Sequence, residues 1–238
     1  ELAKDLDNVY AVVLTGSSTV NKKGKTVNSF VAGADISEMA TKTCAEGKLF
    51  GNESNRVCWK IENFKRPVIA ASSTCTFTIR DEYPHLLDVE NGDVRDSIDL
   101  ATRFVYRLIE NGEAKFKFRD DYRAKIAYHT PCHMEKLGWA YYSIDLLRSI
   151  PNVDVVVLDS QCCGIGGTYG FKKENYATSQ GIGASLFRQI ENSGAEFVAT
   201  DCETCKWQIE MSTPYKVKHP ISVLAEAIDY EATMKLNK

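Results

Sequence analysis

The chain has 238 residues, a formal charge of −3 and 44% hydrophobic residues, which suits one or two globular domains of roughly 100–200 residues with a real core. Near-balanced charge argues against a nucleic-acid partner or a polybasic membrane surface, and no apolar run approaches the ~18 residues of a transmembrane segment. Glu1 to Asp5 form neither a basic n-region nor an apolar h-region, so no signal peptide is expected, and the missing initiator Met reads as a fragment or a processed chain.

Val9 to Leu14 is a β-branched strand candidate closed by Thr15-Gly16-Ser17-Ser18, and a polar Lys-rich loop, Asn21 to Lys25, follows. Ile36 to Phe64 has apolar residues at helical spacing. Pro67 to Ala71 reads as a short buried strand, Cys75 to Tyr83 as a helix stopped before Pro84, and Ser97 to Glu110 as an amphipathic helix ending at Asn111-Gly112. The alternation then becomes cleaner. Ala124 to Tyr128 is a strand, Glu135 to Ser149 a helix, and Val153 to Leu158 a buried strand. A glycine-rich stretch, Gly164 to Gly170, leads to a helix at Ser179 to Asn192. Glu196 to Thr200 is a strand, Glu203 to Met211 a helix, and Ile221 to Asp229 a last helix. Strands alternating with helices predict an α/β fold with a mainly parallel sheet.

A partial repeat is visible. Val68 to Cys75 and Val198 to Cys205 are both a short strand running into a Thr-Cys pair, with Ile79 and Pro84 matching Ile209 and Pro214. Ser72 stands where Cys202 stands, so the first copy reads as truncated.

Eight cysteines without a secretion signal point to metal binding or redox chemistry rather than disulfides. Five form a pattern: Cys132, then Cys162-Cys163-Gly164, then Cys202-Glu203-Thr204-Cys205. Each group follows a strand candidate, and the carboxyl edge of a parallel sheet is where such positions gather. Soft thiolates suit an iron–sulfur cluster. Adjacent cysteines chelate one metal only through a strained ring but reach two different irons, and five thiolates exceed the need of one cubane. Gly164, Gly166 and Gly167 allow close backbone approach and offer N–H groups to sulfide. Two other readings stay open at this point: a zinc-binding structural module, and small buried hydrophobes. The glycine stretch is not a dinucleotide fingerprint, because Tyr169 occupies the position of the third glycine.

From about Pro67 onward the chain resembles the Cys-Cys-Gly domain family, which includes the iron–sulfur components of anaerobic glycerol-3-phosphate dehydrogenases and of heterodisulfide reductases. The stretches that carry the resemblance are His129 to Lys136, Asp159 to Gly164, Gly167 to Tyr176 and Thr200 to Ile209. The resemblance implies a four-iron cluster, non-cubane as in relatives, on Cys132, Cys162, Cys163, Cys202 and Cys205, with Cys75 matching the last cysteine of a first domain. It also implies flavin-bearing dehydrogenase subunits as partners, electron delivery towards membrane quinone, and a cytoplasmic location at the inner membrane face. The ferredoxin-like cysteine runs and whole first domain of that pattern are not found ahead of residue 67.

Residues 1–71 resemble the early part of the crotonase family of enoyl-CoA hydratases, through Ala11 to Gly16, Phe30 to Met39, Asn55-Arg56-Val57 and Pro67 to Ala71. There the N–H at the position of Ala34 is one donor of an oxyanion hole. The chain then departs at Ser72-Ser73-Thr74-Cys75, without the glycine turn or the glutamates, so a truncated, inactive acyl-CoA lyase is the alternative reading. Without that role, Ala34 and Asp35 form a structural turn opening a helix. The expected domains are residues 1–71, a remnant with a connecting helix at 72–120, and a complete cysteine domain at 121–238. His129 and His133 flank Cys132 and read first as partly exposed polar residues, second as groups tuning a cluster. Cys44 and Cys58 read as unpaired thiols.

Overall fold

The computed structural model describes residues 12–14, 17–20, 26–29, 43, 45–46, 68–87, 90 and 92–236. The expectations for Ala34, Asp35, Cys44, Cys58, the Lys-rich loop and most of the Ile36 to Phe64 helix lie outside them. Two compact units result, one from residues 1–71 and 78–99, the other from residues 72–77 and 100–238.

In the first unit, β1 (Val12–Leu14) pairs in parallel with β4 (Val68–Ala70), with β5 (Ile98–Leu100) beyond β4. β2 (Ser17–Val20) and β3 (Thr26–Ser29) form an antiparallel hairpin. Thr43 and Glu46 exchange side-chain and backbone hydrogen bonds as a capping box, marking a helix start. Val68, Ala70 and Ile98 are buried together, with Ile79 packed against them. The helix expected to stop at Tyr83 instead continues. A π-helical turn at Thr78–Glu82 is followed by α2 (Tyr83–Leu87). Pro84 lacks an N–H and its ring crowds the carbonyl four residues back, and the wider turn just before it relieves both problems. The helix expected from Ser97 also starts later. Gly92–Ser97 is a short helix, α3, Ile98 to Leu100 is strand β5, and only Ala101–Glu110 is α4.

The second unit opens with α1 (Ser73–Phe77) and resumes at α4. Its sheet has the order β7-β6-β8-β9, formed by β6 (Ala124–Tyr128), β7 (Val153–Val157), β8 (Phe197–Ala199) and β9 (Val217–Lys218), all parallel. The helices are α5 (Cys132–Leu137), α6 (Ala140–Arg148), α7 (Tyr176–Asn192), α8 (Glu203–Ser212), α9 (Pro220–Ala227) and α10 (Tyr230–Leu236). Gly138, in the left-handed region at φ 69°, ends α5 and splits the single helix expected from Glu135 to Ser149. β7 is an edge strand and only half-buried rather than fully buried, with Asp154 and Val157 exposed.

Strand alternation divides the core. Ile126, Tyr128, Phe197 and Ala199 face a layer with Leu146, Leu147, Val223 and Leu224, whereas Ala127 and Val198 face Leu186, Phe187, Ile190 and Ile209. Helices therefore cover both faces, as a parallel sheet requires. From β6 the chain passes to β7 on one side, and from β7 it returns past β6 to β8 on the other. The order reverses between β6 and β8, the place where open α/β sheets bind ligands. Among the described residues no helix is long and apolar enough to cross a membrane.

Candidate metal centre

The strand ends place the cysteines. Cys132 follows β6 and is the first residue of α5; Cys162 and Cys163 follow β7; Cys202 follows β8 as N-cap of α8, and Cys205 lies in that helix's first turn. The thiols form one continuous series of contacts: Cys132 with Cys162, Cys162 with Cys163, Cys163 with Cys205 at 3.3 Å, and Cys205 with Cys202. Cys163, Cys202 and Cys205 are buried in the layer of Ala127 and Val198, Cys162 is half-buried, and Cys132 is exposed.

Backbone N–H groups also point at these sulfurs: Gly164 N–H donates to Cys162 Sγ at 3.3 Å, Ile165 to Cys163, and Cys205 to Cys202. Cys202 Sγ further meets Thr204 Oγ1 at 3.2 Å and Thr74 Oγ1 at 3.6 Å. Behind Thr74, His133 Nδ1 lies 3.0 Å from its hydroxyl, and the His133 ring stacks on Phe77. The repeat seen in the sequence thus brings Thr74, on α1, to the thiol that its counterpart Thr204 also contacts.

Charge is shared unequally along the series. Hydrogen bonds from Cys132 and then Cys163 pull the Cys162 thiol down to about 2, and contacts from Cys205, then Thr204 and Thr74, pull Cys202 down to about 5. The same contacts push the others up: Cys132 through Cys162, Cys163 to about 12 through Cys162, and Cys205 through Cys163 and Cys202. Cys75 in α1 is half-buried; burial raises it to about 11, and the Cys202 charge adds to the rise. Adjacent thiols cannot all ionise without a compensating cation.

The glycines divide. Gly164 has φ 89°, and a Cβ there would lie 2.0 Å from Ser179 O of α7. Its bare backbone therefore serves close packing against α7 while its N–H serves Cys162. Gly166 accepts at its carbonyl from Tyr169 N–H at 3.1 Å, and Gly167 has φ 63°, so both shape the turn after the cysteine pair. Gly183 was missed by sequence reasoning. A Cβ there would stand 2.5 Å from Cys163 O, so α7 can approach the pair only at a glycine.

Two further features went unread. Asp201 is fully buried, and its carboxyl oxygens accept from Tyr128 Oη (2.7 Å), Ser143 Oγ (3.0 Å) and Thr102 Oγ1 (3.1 Å). Its carbonyl accepts from Ser73 N–H at 2.9 Å, which fastens α1 beside Cys202. His129, expected to be partly exposed, is 1% exposed, and burial lowers its pKa to about 4. It lies within reach of the Cys162 charge, and neither ring nitrogen has a hydrogen-bond partner.

Residues 126–210 match the family model described as a cysteine-rich domain. The chain is 62% identical over 162 residues to one of the subunits of the anaerobic glycerol-3-phosphate dehydrogenase of Escherichia coli strain K12, covering 68% of this chain and 40% of that protein. It thus spans 40% of the length of the curated relative it matches. An uncharacterised iron–sulfur protein of Methanocaldococcus jannaschii is 28% identical over 147 residues, 61% of this chain and 27% of that one. A short N-terminal stretch of 63 residues is 46% identical to the short-chain-enoyl-CoA hydratase of Clostridium acetobutylicum, covering 26% of this chain and 21% of that enzyme.

Proposed function

We propose that Cys132, Cys162, Cys163, Cys202 and Cys205 hold an iron–sulfur cluster and that the protein transfers electrons, a reading supported by the match of residues 126–210 to the cysteine-rich domain model. The observation that carries this reading is the unbroken series of five thiols at the reversal point of the sheet. Such an all-sulfur donor set is soft and suits iron–sulfur chemistry. The linked, partly charged thiols match a group that supplies several cations at once. A zinc site needs only four donors around one ion, whereas five linked thiols exceed that number. The cluster would supply one-electron transfer. The chain's part is to exclude water with the Leu186, Phe187 and Ile209 layer and to present N–H and hydroxyl donors to sulfur.

At finer scale, the cluster is a four-iron, non-cubane one, with Gly164, Gly166 and Gly167 allowing its approach and Cys75 as a further thiol beside it. By similarity to the dehydrogenase relative, the chain works with flavin-bearing dehydrogenase subunits and passes electrons towards membrane quinone from the cytoplasmic face. The working division is a hydratase-like segment at 1–71, a remnant at 72–120 and the cluster domain at 121–238.

Anaerobic reconstitution with iron and sulfide tests this. Bound iron and sulfide, a broad visible absorption and a paramagnetic signal on reduction are expected, and all should be lost in a Cys162→Ser, Cys163→Ser variant. Equal iron in wild type and variant defeats the proposal.

A further inference from the structure

We infer that His129 and Thr200 donate hydrogen bonds to sulfur atoms of the group held by the five cysteines, as positioning residues that set its reduction potential. This rests on the iron–sulfur reading above and deepens it.

The two residues are neighbours at the reversal point of the sheet. β6 and β8 pair with Tyr128 opposite Ala199, and the next residue on each strand is His129 and Thr200. The ladder continues through them: His129 N–H donates to Ala199 O at 3.0 Å and Thr200 N–H to Lys218 O at 3.1 Å. Alternation therefore carries both side chains to the face of Ala127 and Val198, the layer that contains Cys163, Cys202 and Cys205. Tyr128 and Asp201, one residue away, fall on the opposite face and bond to each other there.

Burial makes the two faces contrast. His129 is 1% and Thr200 2% exposed, yet His129 Nδ1 and Nε2 and Thr200 Oγ1 have no hydrogen-bond partner. A buried polar group left unpaired is destabilising, so such a pair is retained where something else completes it. A neutral imidazole carries one N–H in either tautomer, and a threonine carries one O–H. Sulfides and coordinated thiolates are acceptors only. The unpaired donors and the expected acceptors are complementary, and they lie on one side of the sheet. Hydrogen bonds to cluster sulfur stabilise the reduced, more negative state, so their loss lowers the potential.

The test uses the full chain, reconstituted anaerobically, with Thr200→Val, Thr200→Ser, His129→Leu and His129→Gln. Iron and sulfide content is measured first, then the midpoint potential by redox titration followed by electron paramagnetic resonance. Pulsed resonance on protein labelled with 15N-histidine supplies a second readout. Thr200→Val and His129→Leu are expected to shift the midpoint downwards at full iron content, while the Ser and Gln variants stay closer to wild type. A weak 15N coupling is expected in wild type and lost in His129→Leu. If His129→Leu does not fold, the coupling in wild type and the Thr200→Val midpoint still decide. Unchanged midpoints at wild-type iron content overturn the inference and leave the cluster reading standing. A strong coupling, meaning imidazole bound to iron, also overturns it. Wild-type protein that takes up no iron overturns the cluster reading and this inference with it.

Discussion

Cys132 is the exposed member of the series and Cys162 is half-buried, so accessibility alone ranks Cys132 as the first to react. Thiolate character ranks them the other way, because the thiolate is the nucleophile. Cys162 Sγ accepts from the Gly164 N–H at 3.3 Å, and its contacts with Cys132 and Cys163 hold it below the ordinary thiol range, whereas the same contact pushes Cys132 up. Treating the metal-free chain with iodoacetamide at pH 6 should therefore modify Cys162 ahead of Cys132, read by peptide mass spectrometry. Labelling of Cys132 first would show that the contact between the two thiols does not govern their charge. The five cysteines were legible because their spacing follows strand ends. The burial of His129 and the partners of Asp201 were not, because both depend on residues far away in the chain: Tyr128, Ser143 and Thr102 lie 73, 58 and 99 positions from Asp201.

The strands and helices show the same divide between local and distant causes. β6, an apolar run in a helix-rich setting, matches the expected Ala124 to Tyr128. β9, two residues long, has too little pattern to read and exists because Val217 and Lys218 add to the edge of β8. β5 was hidden because Ile98 and Leu100 continue the apolar content of α4, and burial in a sheet outweighed helical spacing. In α7, Gly181 and Gly183 look alike in the sequence, but their surroundings differ. A Cβ at Gly181 meets nothing within 4 Å, while one at Gly183 meets Cys163 O at 2.5 Å and Phe187 Cζ at 2.4 Å. Gly→Ala in a helix gains about 1 kcal/mol, and forcing a methyl into a packed contact loses about 1–3 kcal/mol. Gly181→Ala should thus leave stability unchanged or raise it. Gly183→Ala should lower it by about 1 kcal/mol or more and reduce iron uptake, since the carbonyl displaced belongs to the cysteine pair. Urea unfolding and iron per chain measure both, and equal behaviour of the two variants would remove the reason given for Gly183.

At the level of the whole molecule, the chain holds two units with separate apolar clusters. Val68, Ala70, Ile98 and Ile79 belong to the first, and the two layers on β6 and β8 belong to the second. The five thiols all belong to the second unit. A ligand that binds only the folded state stabilises the unit it binds, in proportion to the logarithm of its concentration over its dissociation constant. Units that melt separately do not share that gain, and a chain with two of them departs from two-state unfolding. Calorimetry of the reconstituted chain should therefore show two transitions. Removing iron with a chelator should lower the one belonging to residues 100–238 and leave the other in place. The cysteine substitutions Cys162→Ser and Cys163→Ser should abolish the chelator effect and leave the transition of the first unit in place. A single transition that shifts as a whole on chelation would mean that the two clusters of apolar residues unfold as one cooperative body, and the N-terminal unit would then share in the stability supplied by the metal.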